Sequence, residues 1–484
     1  MTARPPSASF LPPVSTGRRH QGVPPARQPN ERLLSLIREA GCSNAGLARR
    51  VNMCAAERGL DYRYDKTSVA RWIRGQQPRG RAPEIIAEAL GRKLGRAVSV
   101  DEIGMGTSRQ LTSAVGLHFA AGLAESVEQA AELWRSDVIR REAADTAGPY
   151  AAGSAQVAPS ALVEPSRDWL ITPADPEVAR ASGPRVGAAD VEAVRATTAA
   201  LIDLDRRWGA GHVRPVVVHY LNSVVAGLLG GSYREAVGRE LFGAASRLTE
   251  LAGYMAVDTG LPGLAQRYYI QALRLAQAAG DRGFGGYVLA AGMSHLAAEL
   301  GNPREVIQLA RAAQEGTRGR VTPRAEALFL AAEARGHAQL GDRESCRRAA
   351  ASALAAFERA GDASGDEPAW VAHYDGAYLA DELAHCHRDL GQGRAAQQRA
   401  SEALAGHPHG RARRRAVGLL LLATGQLQEG DLEHACQTAD EAGSLLHGLR
   451  SGRGAEYFSD FRSRLEPHRS EPRVREFTAR WQSP

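Results

Sequence analysis

An all-α chain is predicted, and three observations predict it. Only 6% of the 484 residues are aromatic and alanine dominates, which favours helices packed through small side chains over sheets of β-branched and aromatic strands. Apolar residues recur at helical spacing along most of the chain. Brief Gly-Asp or Gly-Asn turns interrupt that periodicity at similar intervals.

The chain opens on residues 1–30, which hold seven prolines and no acidic residue, so a disordered Pro/Arg-rich tail is expected. A compact helical unit follows over 31–104. Its first helix, "NERLLSLIREAG", presents Leu33, Leu34 and Ile37 and stops at Gly41. Ser43 caps the second, which buries Leu47, Ala48 and Val51 and runs on to about Arg58. A fourth follows Pro83 with Ile85, Ile86, Ala89 and Leu90, and is expected to end at Gly91. "SVDE", Ser99 to Glu102, reads as a capping box opening one last turn.

The third helix carries the chemistry of this unit. In "DKTSVARWIRGQQP" Asp65 is the N-cap, and Gly75 with Pro78 ends the helix. Val69, Trp72 and Ile73 fall at i, i+3 and i+4 and pack inward, leaving Lys66, Thr67, Ser68, Arg71 and Arg74 toward the other side. Residues 1–104 hold 18 lysines and arginines against nine aspartates and glutamates, which leaves the rest of the chain mildly acidic despite a formal charge of +6. A positive region of this kind attracts polyanions, while an acidic remainder does not bind them along its length.

Residues 105–189 are expected as a helix followed by a linker rich in Ala, Pro, Gly and Ser, with "DWLI" docking on a neighbour. From about 190 to 464 helical pairs repeat, and a C-terminal tail covers 465–484. "LAAELGNPREVIQLARAA", "HAQLGDRESCRRAAASAL", "HCHRDLGQGRAAQQRASEAL" and "TGQLQEGDLEHACQTADEA" each end one helix in Gly-polar and start another lined by alanines. Their turn glycines are 301, 341, 391 and 430, and an earlier copy places Gly253 and Tyr254 before Gly260, Ala265, Tyr269 and Ala272. This spacing resembles the tetratricopeptide repeat, which implies a superhelix with a concave groove.

Catalytic and metal signatures are absent. The only lysines, Lys66 and Lys93, complete no GxxxxGK[ST], and HExxH and GxSxG do not occur. "GDRGFGG", 280–286, reads as a loop joining two helices. His385, Cys386 and His387 point about 100° apart on a helix and cannot share one ion. His295 and Glu299, four apart, suit a groove hydrogen bond better than catalysis. Five scattered cysteines without a CxxC pair fit a reducing compartment, and no run of about 18 apolar residues suggests a membrane span. No cofactor and no enzymatic activity are expected, and a cytoplasmic, nucleoid-associated protein is.

The order helix, turn, short polar helix, Arg-Gly, apolar helix is that of a helix-turn-helix, and "SVARWIRG" resembles the Cro/C1-type regulators. That resemblance makes Lys66, Thr67, Ser68 and Arg71 the candidates for base contacts, and Arg74, Gln76, Gln77 and Arg79 for phosphate contacts. Two departures are Ile73, where those regulators carry glutamate, and the long connection "NMCAAERGLDYRYD" over 52–65. With "DLDRRWGAGHVRPVVVHYL" and "LAGYMAVDTGLPGLAQRYYIQALRLAQAAGDRG", the chain resembles actinobacterial regulators that join a helix-turn-helix to tetratricopeptide repeats, including negative regulators of sporulation and antibiotic production in Streptomyces. A single module of this kind buries too little surface for strong specificity, so a homodimer on double-stranded DNA is expected, with a peptide, protein or small effector in the repeat groove. The alternative is a repeat scaffold for a partner protein without sequence-specific DNA binding.

Overall fold

A computed structural model describes residues 30–57, 60, 62–76, 78, 82–94, 98, 102–103, 115–147, 156–361, 367–407, 411–447, 449 and 451–481. Among these residues the fold is all-α, with two isolated β-bridges, and no helix is long and apolar enough to cross a membrane. The chain divides into two compact units, Met1–Arg109 and Gln110–Pro484. Of the expected tail over 1–30, only Asn30 is described, and it caps a helix rather than ending a tail; residues 1–29 and the start of the "SVDE" box lie outside the described residues.

The first unit holds α1 (Glu31–Glu39), α2 (Asn44–Glu57), α3 (Lys66–Ile73) and α4 (Ala82–Leu94). Capping explains where the first helices begin: Asn30 accepts the Leu33 N–H at 3.0 Å, and the Ser43 hydroxyl accepts that of Gly46 at 3.1 Å. Leu33, Leu36, Ile37, Leu47, Val51, Ile85, Ile86 and Leu90 make one apolar core, with Leu36 in the place expected for Leu34. The expected stop at Gly91 does not occur. That glycine is buried inside α4, which runs on to Leu94: a glycine weakens a helix interior without ending it when the flanking residues continue the buried face.

The second unit contains α5 (Leu123–Ala147), α6 (Glu164–Ile171), α7 (Ala188–Trp208), α8 (Ala210–Tyr220), α9 (Ala226–Leu229), α10 (Glu235–Asp258), α11 (Pro262–Ala279), α12 (Arg282–Tyr287) and α13 (Ser294–Glu299). It continues through α14 (Pro303–Thr317), α15 (Pro323–Gln339), α16 (Arg343–Ala360), α17 (Gly376–Asp389), α18 (Gly393–Gly406), α19 (Ala412–Gln428), α20 (Leu432–Leu446), α21 (Gly452–Leu465) and α22 (Pro472–Arg480). Neighbours in sequence pack pairwise, α10 on α11, α14 on α15, α15 on α16, α17 on α18 and α19 on α20, in a solenoid-like succession. The four turn glycines, 301, 341, 391 and 430, adopt φ of 71°, 74°, 67° and 85°, a left-handed conformation that closes a helix cheaply only in glycine.

Three expectations for this unit are corrected. "GDRGFGG" is a helix start rather than a loop: Gly280 ends α11 with φ 75°, and the Asp281 carboxylate caps α12 by accepting the Phe284 N–H at 2.8 Å. The helix expected within 105–189 is α5, but the described chain on either side of it, 115–122 and 156–187, is a packed strap rather than a linker. One face of α11 grips its backbone: Gln266 bonds Ala158 twice, at 2.7 and 2.9 Å, and Gln271 reaches the carbonyls of Gly116 and His118 at 3.0 and 3.1 Å. Arg274 donates to Ala120 O at 2.6 Å and clasps both Asp175 oxygens at 2.8 Å, and Gln277 reaches Thr172 and Pro173. Thirdly, 465–484 is not a tail up to Trp481, since α22 buries Val474 and Phe477 against α20 and the Trp481 indole donates to Asp440 at 2.8 Å.

Candidate functional site

Two arrangements of polar side chains stand apart from ordinary helix surface, one in each unit. In the first, α3 is held by its apolar residues and presents its cations. Val69 and Trp72 are buried, and the Tyr64 ring meets Trp72 edge-on at 4.9 Å. The long connection before α3 is pinned rather than loose: Asn52 donates to Tyr64 O at 2.9 Å and accepts the Tyr64 N–H at 2.9 Å. This paired amide ties the end of the connection to α2. Asp65 accepts the Ser68 N–H and hydroxyl, both at 2.8 Å, and the backbone bond holds its carboxyl below the ordinary range.

Lys66, Thr67, Arg71 and Arg74 are exposed and share one side of α3. Arg71 reaches the Ser68 hydroxyl at 3.3 Å, and Arg74 donates to Ala70 O at 3.2 Å. Gln76 is half-buried just beyond the helix, while Gln77 and Arg79 lie outside the described residues. Ser68 does not belong with the outward group. It is 5% exposed and its hydroxyl is committed to the capping box, because the third residue of a helix capped by aspartate turns back toward that cap.

In the second unit a cavity of about 190 Å³ opens between α7, α10, α15, α17, α19 and α21. Its polar lining is a set of matched pairs: Arg413 with Asp205 at 2.8 Å, Arg414 with Asp381 at 3.0 Å, Arg335 with Glu382 at 3.1 Å, and Arg247 with Glu250 at 2.6 Å. Arg414 also lies over the Tyr378 ring, 3.4 Å from its centre. His295 lines this cavity, while Glu299, one turn further on, lines a neighbouring cleft with Arg453 and Arg464. They do not pair with each other: His295 stands 3.7 Å from Glu382, and Glu299 meets Arg453 at 3.5 Å. Burial pushes the His295 imidazole down to about 3 despite Glu382.

His385 accounts for itself without a metal. Its Nδ1 lies 2.7 Å from Asp381 O, and a carbonyl can only accept, so the proton sits on Nδ1 and Nε2 accepts from the Tyr457 hydroxyl at 2.7 Å. His387 turns instead to Gln392, and no group of three potential metal ligands occurs among the described residues. Burial and then Arg335 hold His385 well below the ordinary imidazole value, and burial brings His407 to about 4. An imidazole depressed on folding binds its proton more readily in the unfolded chain. Stability is therefore full above about pH 6.5 and falls as pH drops toward the folded values. The expected slope is about 1.4 kcal/mol per pH unit for each imidazole. Denaturant titrations of the chain and of His385→Gln between pH 7 and 5 check this, the variant giving the shallower slope.

Sequence reasoning missed the arginines of the cavity, which sit on helices otherwise lined by Ala and Leu. Arg335 in "AAEARGHA" and Arg247 in "AASRLTEL" were legible only as solvated charge, yet Arg335 is 5% exposed. A family model described as the SP15 N-terminal domain matches residues 33–106, the stretch from α1 through the end of the first unit's described chain. No curated protein matches the chain.

Proposed function

We propose that the protein is a DNA-binding transcriptional regulator, a repressor of development or secondary metabolism, whose first unit is a helix-turn-helix of the Cro/C1 type. One observation carries this: α3 is anchored by Val69 and Trp72 while Lys66, Thr67, Arg71 and Arg74 stand exposed together. A helix so held can enter a major groove, where Lys66, Thr67 and Arg71 reach base edges and Arg74 and Gln76 reach phosphates. The resemblance adds Gln77 and Arg79, outside the described residues, as phosphate candidates. A single module of this size covers too little duplex for strong specificity, so the working form is a homodimer.

The second unit resembles a tetratricopeptide superhelix, and its cavity is the effector site of the regulator. An effector that binds one arrangement of the dimer better than another shifts DNA affinity by its differential binding. Arg71→Ala is expected to relax discrimination at one operator position by about 1–3 kcal/mol, leaving binding to mixed-sequence DNA little changed. A mobility-shift titration against single-base operator variants measures this. Wild-type discrimination in the variant would remove Arg71 from the reading face.

A further inference from the structure

The second unit's cavity holds more guanidinium than carboxylate. Each of its four lining carboxylates is met by an arginine: Asp205 by Arg413, Glu250 by Arg247, Asp381 by Arg414 and Glu382 by Arg335. Arg453 turns to Glu299 at 3.5 Å. Arg411 is left over, with no carboxylate at ion-pair distance among the described residues, although it lines the cavity. Arg206, also in the lining, pairs among the described residues with Asp203, an exposed neighbour on its own helix, at 3.2 Å. A half-buried guanidinium without a counter-charge is costly unless an anion completes it.

The electrostatics of neighbouring groups report the same excess. Burial, then Arg247, Arg414, Arg206 and Arg411, push the His373 imidazole down to about 3. Burial, then Arg206 and Arg414, lower Arg411 itself. Burial alone would exclude either sign of charge, but the contribution of the surrounding arginines is a positive field, and that part favours an anion.

Flat rings line the same cavity. His373 lies edge-on to Tyr378 at 5.0 Å and to Tyr287 at 6.2 Å, and Tyr374 packs on Tyr378 at 5.5 Å. Ile202, Leu251 and Leu328 give the rest of the wall an apolar character. A hydrated inorganic ion would leave those surfaces unused. An organic acid would use both parts, its charge on the guanidinium and its body on the rings.

We propose that this cavity binds an organic monoanion, a carboxylate on an aromatic or otherwise apolar body, with Arg411 as the principal carboxylate contact and Arg206 as its support. The assignment rests on the cavity being the effector site. Such a carboxylate comes either from a small free acid or from the C-terminus of a peptide.

Isothermal titration of the intact chain with 2-naphthoate and indole-3-acetate, each beside its carboxamide, tests the charge requirement. The acids are expected to bind about tenfold or more tightly than the amides. Arg411→Gln should lose about tenfold for the acids at an unchanged melting temperature, and Arg411→Lys should bind between that variant and the unaltered chain, keeping the charge without the planar fork. The tripeptide Ala-Leu-Tyr with a free or an amidated terminus separates the two sources: tighter binding than the free acids assigns the site to a chain end, weaker binding to a small acid. Equal binding of acids and amides, no binding of any carboxylate at millimolar concentration, or unchanged binding by Arg411→Gln overturns the proposal. DNA binding by the same preparation is measured separately, so failure of the anion site and failure of α3 to bind DNA are told apart.

Discussion

Trp169→Ala is expected to destabilise the second unit by about 3–5 kcal/mol, among the largest effects a single truncation produces. The indole is fully buried. It fits between α12 and α14 only because two glycines face it: a Cβ on Gly285 would lie 2.7 Å from the indole nitrogen, and one on Gly316 would lie 2.2 Å from its ring carbons. Arg282 covers the ring at 4.5 Å and also donates to the Trp169 carbonyl. Truncation would thus open a ring-sized cavity in a close-packed site, remove a cation–π contact and loosen the strap around it. Gly316→Ala approaches the same contact from the other side and should also destabilise, with the indole forced off its position. Urea denaturation followed by circular dichroism measures both. A cost below about 1 kcal/mol for Trp169→Ala would mean that the strap is not integral to this unit.

Asp137→Asn is the second large effect, about 3–5 kcal/mol, and its cause is charge rather than volume. The Asp137 carboxylate, fully buried on α5, accepts from Arg214 on α8, from Arg140 at 3.1 Å and from the Tyr268 hydroxyl of α11 at 2.9 Å. Arg214 is itself 2% exposed, so neutralising its partner strands a cation where water cannot reach it. The double variant Asp137→Leu, Arg214→Met should cost less than Asp137→Asn alone, because no buried charge is orphaned. If the double variant costs as much as the sum of the singles, the pair is not coupled and the three helices are held by packing instead.

Much of the architecture was legible because helix periodicity and turn chemistry are local. Gly301, Gly341, Gly391 and Gly430 announced their turns, since a left-handed residue after an alanine-rich helix leaves few other choices. Asp65 and Ser43 announced caps for the same reason. Burial of polar groups was not legible in that way. Residues 146–186 looked like a linker because Ala, Pro, Gly and Ser form no periodic face; what orders the described part is a partner more than a hundred positions away, as with Gln266 on Ala158. The signal lay in α11, where Gln266, Arg267, Gln271, Arg274 and Gln277 interrupt an apolar helix at spacings that share faces. Five long polar side chains inside a buried helix need backbone to bond.

The candidate sites divide along the same line. The outward group of α3 followed from position relative to Val69 and Trp72, and Lys66, Thr67, Arg71 and Arg74 stand where that pattern puts them. Ser68 was misplaced because a serine three residues after an aspartate cap serves the cap first. In the cavity, arginines from five helices meet through tertiary packing, and no spacing in the sequence links Arg247 to Arg335 or Arg414.

Selection of genomic DNA fragments by the intact chain, at about 150 mM salt and against excess mixed-sequence competitor, tests the central claim most directly. Enrichment of fragments sharing one sequence element, lost on Arg71→Ala, is the predicted result. Uniform recovery of all fragments, falling away together as salt is raised, would contradict it and leave the first unit without a role in reading DNA sequence.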